Sequence, residues 1–405
     1  MKEETSRRHL GVDQWNQKCD QLVVLICDNK TLPATEYSPL MLLAALDKAI
    51  VDLGKEDGGL RVVPYRHHVQ GQDWLLVRRV VPLGVRKHLQ QFAHLRNWLN
   101  YHLIVPAHYP HYAAKCSHAL EIRFCPPKDH GKSLNVLGGD SLPVWFGTFT
   151  DQVTPHWPNI QEKKCTSERV TDQDKRWASI KDSLCAAREA EAKVVIFPEL
   201  SVCPSLRKKI LDWLNNEQNG FLLVVPGSFH EQVERTTSHG LPVNRTGLFT
   251  GKGNHIFWHD KFIPFGDDKV CHELVSSGNA VTLWMTSIGV FALAVCRDFC
   301  EGEGWVRTLW ETLAPDWVLV PSMSFSGGMS AHLKQAANLY DHCGTRVLVA
   351  NQWPQESYPN KNPCEHGFAF PMPGGGRGEQ EVTSAPYGRL KCLKPPSHLA
   401  DKSIV

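Results

Sequence analysis

From residue 142 onward the chain alternates short apolar runs with stretches in which apolar residues recur every three or four positions. The runs are 144–149, 194–197, 221–225, 255–258, 281–285, 290–295, 318–320 and 347–350, each of strand length and bounded by polar or turn-forming residues. Between them, Trp177, Ile180, Leu184 and Ala187 share a helix face behind a capping box of Thr171 and Asp174. Leu206, Ile210, Trp213 and Leu214 mark a second helix, ended by Gly220; Trp305, Leu309 and Leu313 mark a third. Leu333, Ala337 and Tyr340 mark a fourth, ended by Gly344. This alternation predicts an α/β fold, a mixed or parallel sheet flanked by helices.

The first 140 residues read differently. A tail (1–18) and a short apolar run (22–27) precede a helix with Ser38 as cap, Pro39 in its first turn, Leu43, Leu46, Ile50 and Leu53 on one face, and Gly54 at its end. A loop with Gly58 and Gly59, a strand over 74–81 and an amphipathic helix carrying Leu89, Phe92, Leu95, Leu99 and Leu103 follow. Residues 126–139, rich in Pro, Gly and charge, read as a linker. The expected division is therefore an N-terminal basic, His-rich extension or small α+β domain (1–140), a main domain (141–390, with a loop at Gly374, Gly375 and Gly376), and a disordered tail (391–405).

Composition narrows the class. With 405 residues, 42% hydrophobic and 21% charged, the chain is long enough for two or three domains and unlike disordered, collagen-like or coiled-coil proteins. No apolar run reaches the roughly eighteen residues of a membrane span, and residues 1–9 are charged with no apolar stretch behind them, so the expectation is a cytoplasmic protein without membrane contact. The 13 cysteines are scattered with no CxxC pair, which favours free thiols in a reducing compartment over a disulfide framework. His108, His111, Cys116 and His118 match no zinc spacing, so no metal and no cofactor are expected. The net charge of +2 hides an asymmetry: residues 61–132 hold eleven Lys and Arg, three acids and nine of the 20 His. Interleaved with Trp98, Tyr101, Tyr109 and Tyr112, that basic stretch could engage nucleic acid, form a solvated face, or dock on the acidic remainder.

Three of the predicted strands run into residues that can do chemistry: 194–197 into Pro198 and Glu199, 255–258 into His259, Asp260 and Lys261, and 290–295 into Cys296, Arg297 and Asp298. Reactive groups collect beyond the carboxyl ends of strands in open α/β folds. A thiol there can attack an acyl or nitrile carbon, a carboxylate can take its proton and later activate water, and an ammonium can stabilise the oxyanion. The route would be a thioester followed by hydrolysis. A thiol beside Lys261 is expected to have raised thiolate character. Cys300 reads as a packed bystander, Asp298 also as a turn cap, and His259 and His272 as ordinary surface or hydrogen-bonded histidines.

The contexts VVIFPELS, HDKFIPFGD and ALAVCRDF, with Glu199, Lys261 and Cys296 in that order and 62 and 35 residues apart, resemble the carbon-nitrogen hydrolase (nitrilase) superfamily. Gly289 stands where that family has a leading Gly, Asn244 and Arg245 resemble its Asn-Arg before a hairpin, and RVLVANQ, ending at Gln352, resembles its late strand; the resemblance covers about 142–389. It implies a four-layer αββα sandwich, homodimers or larger assemblies, and a small-molecule amide or nitrile substrate. Cys296 would be the nucleophile, Glu199 the general base and Lys261 the oxyanion group. The family uses a second acid, usually a Glu somewhat further past the Lys; here Asp267 or Asp268 stands near that place. Arg297 replaces a Tyr and Asp260 a basic residue; both alter the charge beside the pocket, implying an unusual substrate, and Asp298 is a further candidate for the second acid or the pocket. The resulting reading is a hydrolase of a non-peptide C–N bond, of amides rather than nitriles. The alternative keeps the fold as a binding or signalling module whose basic N-terminal part engages nucleic acid or a protein partner, as in a bacterial defence system.

Overall fold

The computed structural model describes residues 21, 65–69, 72–78, 102–109, 119–125, 142–149, 151, 153–233, 240–268, 271–286, 289–300, 304–352, 367–370 and 391–393. It is a mixed α/β structure. The apolar runs lie in strands Leu142–Phe146, Val194–Ile196, Leu223–Val225, His255–Asp260, Ala280–Thr286, Gly289–Leu293, Trp317–Ser322 and Arg346–Asn351. Helices α1 (Gln173–Glu189), α2 (Pro204–Asn216), the single turn α3 (Arg297–Cys300), α4 (Gly304–Leu313) and α5 (Ser326–Cys343) stand among them. The cap of α1 is Asp172, which accepts from Lys175 N at 3.0 Å, while the hydroxyl of Thr171 accepts from Thr154 N. The helix thus starts one residue later than the capping box implies. Helix α5 ends where Gly344 takes a left-handed conformation.

The strands form two seven-stranded sheets. The first runs Ser228–Glu231, Val243–Thr250, Leu223–Val225, Val194–Ile196, Leu142–Phe146, Lys391–Leu393, with His255–Asp260 paired to Val243–Thr250. The second runs Gly367–Phe370, Arg346–Asn351, Trp317–Ser322, Gly289–Leu293, Ala280–Thr286, Leu120–Cys125, His108–Tyr109. Side-chain parity explains why these strands read as unbroken apolar runs. Trp317 and Leu319 share a buried cluster with Val194, Ile196 and Leu223 of the first sheet. Val318 and Val320 join Leu309 and Trp310 of α4 and Leu339 of α5. On the first sheet, Val195 turns outward against Ile180 and Leu184 of α1 and Ile210 of α2. Gly289 has φ +121°, and a Cβ there would lie 2.7 Å from the side chain of Asp316, whose carboxylate accepts from Val290 N, so this position excludes other residues.

The described strands before residue 140 pack against and pair with those that follow. Strands Tyr65–Val69, Gln72–Arg78 and His102–Pro106 form an antiparallel sheet whose Leu75, Leu103 and Val105 enter the cluster built on α4. Leu103, expected in a helix, is therefore in a strand, where Leu103 and Val105 alternate inward. His108–Tyr109 pairs with Leu120–Cys125, which runs parallel to Ala280–Thr286, so a boundary at 140 does not separate the second sheet from what precedes it. The contact that the described N-terminal side chains Leu75, Leu103 and Val105 make with the rest is apolar. Lys391–Leu393, expected in a disordered tail, pairs with Leu142–Phe146. The helix expected over 39–53, the linker 126–139, the glycines 374–376 and the tail beyond 393 lie outside the described residues. Among the described residues, no helix is long and apolar enough to cross a membrane.

Candidate active site

Glu199, Lys261 and Cys296, each just past the end of a strand, line one cavity of about 710 Å³. All three are buried, at 2%, 1% and 5% exposure. Lys261 Nζ donates to Glu199 Oε1 and to Glu273 Oε2, both at 2.8 Å. Asn244 Nδ2 links the same carboxylates, donating to Glu199 Oε1 at 2.9 Å and Glu273 Oε1 at 2.7 Å. Glu199 Oε2 accepts from Met323 N at 3.0 Å, and Glu273 Oε2 from Phe265 N at 2.7 Å. His230 Nδ1 accepts from Ser167 N, so its Nε2 carries the proton and donates to Glu273 Oε1 at 2.9 Å.

Glu273 is the residue the sequence reading missed. Asp268 is on an exposed turn, 96% exposed and bonded to His272, while Asp267 lines the cavity but not the lysine. The carboxylate that meets Lys261 comes twelve positions after it, because Gly266–Asp267 pairs with Cys271–Glu273 and folds the chain back. The available signal was the resemblance itself, which places a Glu further on.

Cys296 has φ +47° and Leu200, after Glu199, +54°, so both ends of the site hold non-glycine residues in the left-handed region. Cys296 N donates to Pro321 O at 2.9 Å, and its Sγ lies 3.3 Å from Ser324 Oγ. Asn351 clamps Ser324 from both sides, accepting from its N at 2.7 Å and donating to its O at 3.0 Å. Asp298 is fully buried and outside the cavity lining. It accepts from Phe262 N at 3.0 Å and Ile263 N at 2.8 Å and lies 2.9 Å from His259 Nε2, bracing the Cys296 turn against the segment after Lys261. Of the two readings offered for His259, it is the hydrogen-bonded one, and it is buried. Asp260 pairs with Arg245 at 2.8 Å and is not in the cavity lining, so of the substituted neighbours Arg297 is the one whose charge reaches it. Arg297 Nη1 donates to Gly266 O at 3.3 Å. Cys300 is half-buried in the cavity wall, a place the bystander reading did not give it.

Electrostatics separate the two carboxylates. Burial raises the Glu199 carboxyl, partly offset by Lys261. Burial also works to raise Glu273, but Lys261 and His230 outweigh it and hold that carboxyl well below the usual range. Burial opposes the charge on Lys261, yet Glu199 and Glu273 keep it well above the ordinary lysine value. For Cys296, burial and then the Glu199 charge push the thiol up to about 11, against the weaker pull of Lys261. This overturns the expected thiolate character: a cationic neighbour was legible, its neutralisation by two carboxylates was not. At pH 7, iodoacetamide should alkylate Cys296 no faster than the half-buried Cys185, and the Cys296 rate should climb about tenfold per pH unit up to pH 9, read by peptide mass spectrometry. Rapid labelling at pH 7 with no pH dependence would refute this assignment.

Contrary to the expectation of free thiols, Cys165 and Cys271 form a disulfide in the cavity wall. The parallel pairing of Lys164–Cys165 with Cys271–Glu273 sets them together across 106 residues, a distance no local spacing reveals. It ties the segment carrying Trp157 and Ile160 to the strand carrying Glu273. Of the residues weighed for metal or nucleic acid, His108 is exposed and Tyr109 is buried, which removes Tyr109 as a stacking surface. His111, Cys116, His118, Trp98, Tyr101 and Tyr112 lie outside the described residues.

No protein-family model matches the chain, and no curated protein does. Solved structures similar to it include an amidase from Nesterenkonia sp., 14% identical with a TM-score of 0.45 over 65% of this chain and 94% of that one. Saccharomyces cerevisiae Nit3, a member of branch 10 of the nitrilase superfamily, is 15% identical with a TM-score of 0.43 over 66% and 95%. A glutamine-dependent NAD+ synthetase from Acinetobacter baumannii is 16% identical with a TM-score of 0.44 over 64% and 47%. At this level of likeness, the family reading rests on the motifs and on the geometry of the site.

Proposed function

We propose that the chain is a carbon-nitrogen hydrolase of the nitrilase type, built as a four-layer αββα sandwich, that cleaves amides through a thioester on Cys296. The observation that carries this is a buried lysine held between two carboxylates of divergent acidity, in one cavity with a buried thiol. Groups whose environments push them apart take different roles. Glu199, with its raised carboxyl, exchanges protons; Glu273, kept ionised, holds Lys261 in place.

In the first half-reaction Glu199 takes the thiol proton as Sγ attacks the amide carbonyl carbon. Lys261 has three N–H groups, two engaged by the carboxylates, and the third serves the oxyanion. Glu199 then passes its proton to the nitrogen, the C–N bond breaks, and amine leaves the thioester. In the second half-reaction Glu199 takes a proton from water, which attacks the thioester; the C–S bond breaks, the thiol regains its proton and a carboxylic acid leaves.

The test is ammonia release across primary amides, ureas and nitriles, with the carboxylic acid quantified alongside. The expected result is equal amounts of ammonia and acid from amides. In the same assay, activity should fall with decreasing pH at a midpoint above the ordinary carboxylate range, because protonated Glu199 cannot accept the thiol proton and burial raises its carboxyl. No ammonia from any of these compounds, together with no acid or amine from N-substituted amides, would sink the proposal.

A further inference from the structure

The cavity around Cys296 is far larger than its reacting end requires. Glu199, Lys261, Glu273 and Cys296 converge in one buried cluster, while Asp267 and Arg297 bring two partly exposed charges to the wall. Much of the remaining wall is apolar, formed by Trp157, Ile160, Phe265, Met323 and Phe325, none of them fully buried. Ile160 is 42% exposed and is the exposed large hydrophobic residue among those described. Among the described large apolar side chains the others are buried or partly buried, and leaving this one open at the cavity gives a surface suited to an apolar ligand group. The Cys165–Cys271 disulfide secures the segment that carries Trp157 and Ile160, so this wall is built into the site. At about 30 Å³ per water-sized group, 710 Å³ holds on the order of twenty such groups, the size of a drug-like ligand. A two-carbon amide would leave most of the wall uncovered.

Resting on the hydrolase reading above, we infer that the substrate is an amide bearing a bulky apolar group, aromatic or branched, that lies against Trp157, Ile160, Phe265, Met323 and Phe325. The contact chemistry is the same whether that group sits on the acyl or the amine side. Since each added methylene in an apolar pocket brings roughly tenfold or more in kcat/KM, several together should raise it by a hundredfold or more.

The experiment measures kcat/KM for acetamide, hexanamide and 4-phenylbutanamide in one arm, and for N-benzylacetamide in a second. A rise of about a hundredfold or more from acetamide in either arm supports the inference and assigns the side. Flat values in both arms, or a preference for acetamide, overturn it. In the Ile160→Glu variant, the ratio of 4-phenylbutanamide to acetamide (or of N-benzylacetamide, if that arm responds) should drop about tenfold; an unchanged ratio counts against the inference. Acylation of Cys296 is followed by mass in every arm. Small amides that acylate Cys296 best defeat the inference while the hydrolase reading stands; no acylation by any amide defeats that reading first.

Discussion

Cys296→Ala is expected to lower amide hydrolysis by at least about a thousandfold while the protein remains folded. The substitution removes the only atom proposed to bond the substrate carbon, and residues acting as one nucleophilic unit lose nearly everything with any member. The structural cost is small. Cys296 and Ala differ by one buried sulfur, which lies 3.3 Å from Ser324 Oγ, so a destabilisation of about 1–2 kcal/mol is expected. The left-handed backbone at φ +47° is no harder for Ala than for Cys. Steady-state rates, with thermal unfolding as the control for folding, check this. Retention of more than a tenth of the activity would move the nucleophile elsewhere.

Lys261→Met is expected to act on fold and function together. In the parent, one ammonium neutralises two carboxylates that are almost wholly buried. Met fills a similar volume but leaves Glu199 and Glu273 facing each other without a cation. Removing one partner of a buried ionic group costs about 3–5 kcal/mol, and the oxyanion group disappears with it. The pH dependence follows from the directions involved. In the parent, depressed Glu273 contributes stability that is present above its unfolded pKa and lost as pH falls toward its folded value. In the variant, burial and mutual repulsion should raise both carboxyls, so their penalty grows as pH rises above the unfolded pKa, is full only above the raised folded value, and fades on acidification. The gap between the two proteins should therefore be widest at pH 7 and narrower at pH 5 in urea titrations. Equal stability at pH 7 would show that the triad of charges is not coupled as described.

The chemistry of strand ends was legible in the sequence because it is local. A run such as Val194–Ile196 leading into Glu199, or Gly289–Leu293 leading into Cys296, announces both the element and the place where its polar terminus emerges. The helices on either side were legible for the same reason. Glu273 was not, because a hairpin of two short strands intervenes, and proximity in sequence favoured Asp267 and Asp268. The strands Leu120–Cys125 and Lys391–Leu393 and the Cys165–Cys271 bond depend on pairing between distant segments, to which neither periodicity nor composition is sensitive. The acidity of Cys296 depends on burial and on how many carboxylates share Lys261, quantities that exist only once the chain is folded.

The covalent acyl intermediate on Cys296 can be trapped by mixing the protein with a turned-over amide, quenching in acid within milliseconds to seconds, and reading the intact mass and the modified peptide. The expected result is a transient gain of one acyl group in place of one hydrogen, located on Cys296 and absent from Cys296→Ala. An acyl group on another residue, or hydrolysis that persists in Cys296→Ala, would contradict it.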